Sequence, residues 1–203
     1  MIIEKILETT QDEEVELKIK IRATQIKALR KKLLALGAVS KEKIKESDVY
    51  FTAPHRDFIK TKECLRIRER DDCLELTYKG ATTKSMDKKR QFWKSEINIL
   101  LHCPKKEVEL LFESLNFRKV AEVVKEREKF VLGRQKITFD NIKNLGWFLE
   151  IENTITNEKE RQKALDENIR LLRKLGLDKK SIITEPYRDL VLQQRETSNR
   201  ANK

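Results

Sequence analysis

Charged side chains recur at every second position in several stretches of this sequence, and that spacing is where chemistry could sit. In Glu14-Val15-Glu16-Leu17-Lys18-Ile19-Lys20-Ile21-Arg22 an extended chain puts Glu14, Glu16, Lys18, Lys20 and Arg22 on one face. Val15, Leu17, Ile19 and Ile21 fall on the other. The pattern returns with Arg66, Arg68 and Arg70, with Lys79, with Lys94 and Glu96, with Lys125, Arg127 and Lys129, and with Glu150 and Glu152. Basic groups suit phosphate oxygens. Carboxylates suit Mg²⁺ or Mn²⁺, hard ions that take oxygen ligands and bridge phosphates. One such strand alone reads as half-buried with a solvated face. Repetition on nearly every strand admits a second reading, a shared interior holding a polyphosphate and its metals.

The elements that must position these residues are legible in outline. Strands are expected at 14–22, 45–51, 92–100, 120–131, 136–140 and 148–152, with 65–70 and 74–79 joined as a hairpin by Asp71-Asp72. Helices are expected from Thr24 to Gly37, from Pro104 with Val108, Leu111, Phe112 and Leu115 on one side, and from Thr156 to Gly176. Gly80–Lys89 reads as a polar, basic loop. A weak echo at an offset of 79 residues relates the first half to the second, which suggests two similar halves about a pseudo-two-fold axis. Residues 1–13 read as an N-terminal extension, 14–192 as one domain, and 193–203 as a disordered tail.

A sheet with one apolar face and amphipathic helices to cover it must turn its charged face to solvent or into a bore. Closure would remove aggregation-prone edges, and about eight strands leave room for a small ligand. The expected fold is therefore α+β, a closed eight-stranded antiparallel β-barrel with a charged interior and helices packed outside. Composition agrees: 39% of the 203 residues are charged, and the formal net charge of +11 favours anionic partners. The cations alternate with carboxylates and form no stripe with stacking aromatics, which disfavours nucleic acid. No window is apolar enough to span a membrane, no signal peptide is evident, and Cys64, Cys73 and Cys103 show no metal or disulfide spacing. A cytoplasmic protein is expected, and a homodimer is compatible with the sequence.

Seven ordered motifs resemble the CYTH superfamily, the triphosphate tunnel metalloenzymes, and within it the class IV adenylate cyclase-like proteins. They are Glu14-x-Glu16-x-Lys18, Asp48-Val49-Tyr50-Phe51, Leu65-Arg66-Ile67-Arg68, Tyr78-Lys79-Gly80, Lys125-x-Arg127, Ile137-Thr138-Phe139-Asp140 and Leu145-Gly146-Trp147-Phe148-Leu149-Glu150-Ile151-Glu152. The resemblance implies that Glu14, Glu16, Asp140, Glu150 and Glu152 bind metal, Mg²⁺ or Mn²⁺. It implies that Lys18, Arg66, Arg68, Lys79, Lys125 and Arg127 clamp phosphate. Asn98, two residues after Glu96, and Pro186 before Tyr187 depart from the family pattern.

The implied function is a metal-dependent enzyme acting on a small-molecule triphosphate: ATP, inorganic triphosphate or thiamine triphosphate. Attack by a ribose hydroxyl would release pyrophosphate and cyclic AMP; attack by water would hydrolyse the triphosphate. A non-catalytic binder of polyphosphate or RNA ends is the alternative of another class. Tyr50 and Lys79 are the candidate proton-transfer groups, because a lysine among other cations is expected to have a lowered pKa.

Overall fold

Alternation of apolar and charged residues builds nine antiparallel strands in the computed structural model, which describes residues 13–71, 73–80 and 96–201. In chain order they are β1 (Glu13–Ile21), β2 (Val39–Thr52), β3 (Cys64–Arg70), β4 (Cys73–Lys79), β5 (Glu96–Leu101), β6 (Arg118–Leu132), β7 (Gln135–Ile142), β8 (Gly146–Ile155) and β9 (Ile182–Ile183). Four helices accompany them: α1 (Ala23–Ala35), α2 (Lys105–Ser114), α3 (Arg161–Leu175) and α4 (Tyr187–Ala201). Lys94, Trp93, most of the expected 80–89 loop and the first residues of the expected 92–100 strand lie outside the described residues. So do residues 1–12.

The strands form one sheet in the order β5-β4-β3-β2-β6-β7-β8-β1-β9. That order is symmetric about the β2–β6 pair once β9 is set aside. Strand–helix–three strands (β1, α1, β2, β3, β4) is repeated as β5, α2, β6, β7, β8. The echo at 79 residues holds: it carries Val39–Thr52 onto 118–131, and β6 spans Arg118–Leu132.

The closed eight-stranded barrel requires correction. Among the described residues, β5 and β9 are edges and are not hydrogen-bonded to each other. A two-residue β9 occupies the free edge of β1, which a closing strand would otherwise need. The sheet nevertheless curls far enough for β4 and β1, six places apart in the order, to touch through their charged faces. There, Lys79 Nζ lies 2.8 Å from Glu14 Oε2.

The apolar faces turn outward beneath the helices, as the alternation requires. Leu17, Ile19 and Ile21 of β1 pack with Ile26, Leu29 and Leu33 of α1 and with Ile169, Leu172 and Leu175 of α3. Val49, Phe51 and Ile67 pack beneath Val108 and Phe112 of α2. Each fully buried Leu, Ile or Phe contributes roughly 1.5–3 kcal/mol, so these two layers hold the curled sheet against its own internal charge. At the end of α3, Gly176 takes the left-handed conformation at φ 80°, and Lys32 Nζ of α1 donates to the Leu175 carbonyl at 2.7 Å.

Some boundaries differ from the sequence reading. α1 starts after Arg22, not at Thr24, because the Gln25 side chain accepts the Arg22 amide at 2.9 Å. α3 begins at Arg161 after a short turn at 158–160. The expected disorder of 193–203 gives way to helix through residue 201; Gln194 donates to the Asn144 carbonyl and Thr197 to the Gln193 carbonyl. Among the described residues no helix is long and apolar enough to cross a membrane.

Candidate active site

Each charged side chain takes its position from the pleat of its strand, since the neighbours on either side are anchored outward in the apolar layers. On β2 and β3 the register sets Asp48 opposite Arg68. The result is a bidentate pair, Arg68 Nε to Asp48 Oδ1 at 2.6 Å and Arg68 Nη2 to Oδ2 at 2.8 Å. Lys125 of β6 joins it, 2.9 Å from Glu46 and 3.5 Å from Asp48. On β6 and β7 the register sets Arg127 opposite Asp140, again bidentate at 2.7 and 2.5 Å, and Arg127 also reaches Glu150 at 2.6 Å. The offset that carries β2 onto β6 carries Asp48 onto Arg127. The two bidentate pairs are therefore counterparts in the repeat, with their charge signs exchanged.

The remaining predicted residues fall on the same inward face. Lys18 lies 3.1 Å from Glu16 and 3.6 Å from Glu150. Lys79 bridges Glu14 at 2.8 Å and Glu96 at 2.6 Å. Glu16 stands directly opposite Glu152 across the β1–β8 ladder, and Glu152 takes Lys136 at 3.0 Å. Arg66 is the least satisfied cation. It donates to Thr77 Oγ1 at 3.0 Å, its carboxylate neighbours stand 3.8–3.9 Å away, and its buried Nε has no partner among the described residues. Thus, of the eleven residues named for metal and phosphate, the ten other than Asp140 line one surface, together with Lys79's partner Glu96. Asp140 is fully buried and committed to Arg127 and to the Tyr187 hydroxyl, which donates at 3.1 Å.

Several groups on this face were not among the residues assigned to metal or phosphate from sequence. Glu46 and Asp48, Glu75 and Thr77, Glu96, and Lys136 and Thr138 carry the same period-2 signal and were available to it. Tyr187 was not legible as a site residue, since its entry depends on how α4 docks. α4 lies where Tyr50, Ala121, Val123 and Phe148 point inward, and packs Tyr187 and Val191 among them. That end of the surface is filled, and Lys18 Nζ sits 4.4 Å from the centre of the Tyr187 ring.

Charge balance on this face differs from that of the whole chain. Lys18, Arg66, Arg68, Lys79, Lys125, Arg127 and Lys136 are met by Glu14, Glu16, Glu46, Asp48, Glu75, Glu96, Asp140, Glu150 and Glu152. Among the described residues the inward face has no surplus of cations, despite the net +11 of the chain. The pKa directions follow. Burial alone would raise Glu14 and Glu46, but Lys79 holds the first down at about 2, and Lys125 and Arg68 hold the second down at about 2. Burial and the neighbouring Glu150 carboxylate push Glu16 up to about 7. Burial also raises Glu152, with Glu14 adding to it.

The proton-transfer candidates need correction on this point. Burial would lower Lys79, but Glu14 and Glu96 outweigh it and its pKa lies above the usual lysine value. The lysine lowered by burial and by neighbouring cations, Arg127 and Arg68, is Lys125. Burial and the Asp48 carboxylate raise Tyr50, whose hydroxyl stands 3.4 Å from Asp48. Both Tyr50 and Lys79 are therefore proton holders near neutral pH, suited to donating hydrogen bonds and unsuited to accepting a proton.

Comparison with known proteins bears on this geometry. The family model for the CYTH domain matches residues 12–187. A protein from Methanocaldococcus jannaschii named "Putative adenylate cyclase" is 31% identical over 176 residues, covering 87% of this chain and 98% of its own. A solved structure from Pyrococcus horikoshii superposes with a TM-score of 0.77 at 31% identity, over 89% of this chain and 99% of that one. A Hippeastrum protein, described as a putative adenylyl cyclase with a dominant triphosphatase activity, shares the fold at a TM-score of 0.55 and 16% identity, over 82% and 88%. With ladder, charged face and family model in agreement over the same span, this chain belongs to the CYTH domain family.

Proposed function

We propose that this protein is a divalent-metal-dependent enzyme acting on a triphosphate, of the adenylate cyclase-like kind that converts ATP to cyclic AMP and pyrophosphate. The observation that carries the reading is the convergence of Lys18, Arg66, Arg68, Lys125 and Arg127 with Glu14, Glu16, Glu150 and Glu152 on one inward face. Such a face, with its carboxylates in at least equal number, repels a polyanion unless further cations accompany it. A triphosphate carrying Mg²⁺ or Mn²⁺ meets both needs.

Among the described residues, no three Asp, Glu, His or Cys side chains are gathered tightly enough to hold a metal by themselves. This suits Mg²⁺ or Mn²⁺ shared with a substrate, where one or two carboxylates suffice and phosphate oxygens and water complete the shell. Glu16 and Glu152, like-charged and directly opposed, fit that role, with Glu14 and Glu150 beside them. Asp140 fits it poorly and is better described as the residue that aims Arg127. When bound, the metal would neutralise charge on the phosphate oxygens and polarise phosphorus. The chain's own part is to seat the phosphates on Arg66, Arg68, Lys125, Arg127 and Lys18 and to offer Lys79 Nζ as a charged hydrogen-bond donor.

A second reading, triphosphate hydrolysis, is favoured by a specific observation. Lys79 is held between Glu14 and Glu96 and the Tyr50 hydroxyl donates to Asp48, so neither is placed to take a proton from a nucleophile, and hydrolysis asks only that water reach the seated triphosphate and its metal. Products decide between the readings. With ATP, inorganic triphosphate or thiamine triphosphate and Mg²⁺ or Mn²⁺, cyclic AMP with pyrophosphate marks a cyclase and orthophosphate marks a hydrolase. Tight binding with no turnover of any of the three substrates would contradict an enzyme.

A further inference from the structure

We infer that Asn168 of α3 is a positioning residue for the opposed Glu16–Glu152 pair, acting from the far side of the sheet. Asn168 sits mid-helix, fully buried, in a face otherwise made of Ala164, Ile169, Leu171, Leu172 and Leu175. An apolar side chain would serve helix docking there at least as well, so the amide calls for a reason. Its Nδ2 donates to the Val15 carbonyl at 2.8 Å and to the Ile151 carbonyl at 3.3 Å. Its Oδ1 accepts from Gln135 Nε2 and from Asn153 Nδ2, each at 2.9 Å. All four hydrogen-bonding positions of the amide are used.

The two carbonyls are the ones that matter for the carboxylates. The Val15 carbonyl belongs to the peptide unit that leads into Glu16, and the Ile151 carbonyl to the unit that leads into Glu152. Val15 and Ile151 turn their side chains into the apolar layers, so the glutamates that follow them project to the opposite face. Glu16 and Glu152 are paired residues on neighbouring strands. Carboxylates crowd this part of the ladder, Glu150 and Glu14 pressing on Glu16 and Glu14 and Glu150 pressing on Glu152, and like charge on adjacent strands pushes that rung apart. Asn168 ties both peptide units to one amide, and the amides of Gln135 and Asn153 hold that amide in turn. The carboxylates are kept together before a cation arrives, and metal binding need not first close the rung.

This inference rests on the proposed reading that Glu16 and Glu152 hold a divalent cation, and the test separates the two. Mn²⁺ is titrated calorimetrically into the full chain saturated with a non-hydrolysable imido analogue of inorganic triphosphate, wild type and Asn168→Ala, with Leu172→Ala in the same helix as a control for destabilisation alone. Loss of a residue that supports metal ligands typically weakens affinity by about 10- to 100-fold. The expected result is a loss of about that size in Asn168→Ala and less than about a twofold change in Leu172→Ala. Asn168→Ser, which keeps one donor, gives an intermediate loss and decides the matter should Asn168→Ala fail to fold. Wild-type affinity in the folded Asn168 variant overturns the positioning role alone. Absence of Mn²⁺ binding in the wild type overturns the metal reading and the inference with it.

Discussion

Glu16→Gln is expected to lose at least about a hundredfold in turnover of any triphosphate while the protein becomes slightly more stable without metal. The opposite signs come from one cause. Burial and Glu150 lift the Glu16 carboxyl to about 7, so the metal-free fold carries a carboxylate it would rather protonate. The linkage has a definite direction. A carboxyl raised in the folded state binds more protons folded than unfolded between its ordinary pKa and about 7, so stability falls as pH rises through that window. Above about 7 the loss is complete. The Glu16 side chain is 31% exposed, so solvent screening holds the effect to about 1 kcal/mol. Thermal melts from pH 4.5 to 7.5 with EDTA would show a decline in the wild type that is shallower in Glu16→Gln, where only the other raised carboxyls, Glu152 and Glu96, remain. Glu14 and Glu46, held down at about 2, act in a separate window: their contribution is present above the ordinary carboxylate range and is lost as pH falls towards 2. Undiminished turnover in Glu16→Gln would remove the metal role from this residue.

Asp48→Ala is expected to be the most destabilising single change on the inward face, costing about 3–5 kcal/mol. Asp48 is fully buried and answers Arg68 through two hydrogen bonds, with Lys125 at 3.5 Å and Arg66 at 3.9 Å. Its removal leaves buried cations facing one another with Glu46 as the main remaining counter-charge. For a chain of this size such a loss lowers the melting temperature by roughly 10 °C. Inorganic triphosphate should then restore more stability to Asp48→Ala than to the wild type, because it supplies anionic oxygens where Asp48 stood. A melting temperature within about 2 °C of wild type would show that the cations are solvated and that the face is open.

Particular residues show how far the sequence could be read. The outward–inward split of β1 and β8 was legible because Val15, Leu17, Leu149 and Ile151 alternate with charges without interruption, and period-2 burial leaves one arrangement. The bidentate pairs were not legible. Asp48 meets Arg68, and Asp140 meets Arg127, only because the registers place them opposite, and register belongs to the ladder rather than to either strand. The same gap explains the reversal at Lys79: its cationic surroundings were visible in sequence, whereas the two carboxylates that outweigh them arrive from β1 and β5. Tyr187 and Asn168 lie furthest from sequence reasoning. A tyrosine after a proline and an asparagine in a helix gain their roles from packing across 47 and 153 residues of chain. Closure was over-read for a related reason: eight alternating stretches are compatible with a barrel, but the partners of the edge strands are not encoded in the alternation.

The most direct measurement is a crystal structure of the protein with Mn²⁺ and inorganic triphosphate, with anomalous scattering used to locate the metal. A manganese peak is expected between Glu16 and Glu152, with phosphate oxygens on Arg66, Lys125 and Arg127. Manganese and triphosphate bound on the outer surface, with the inward ion pairs unchanged, would contradict it.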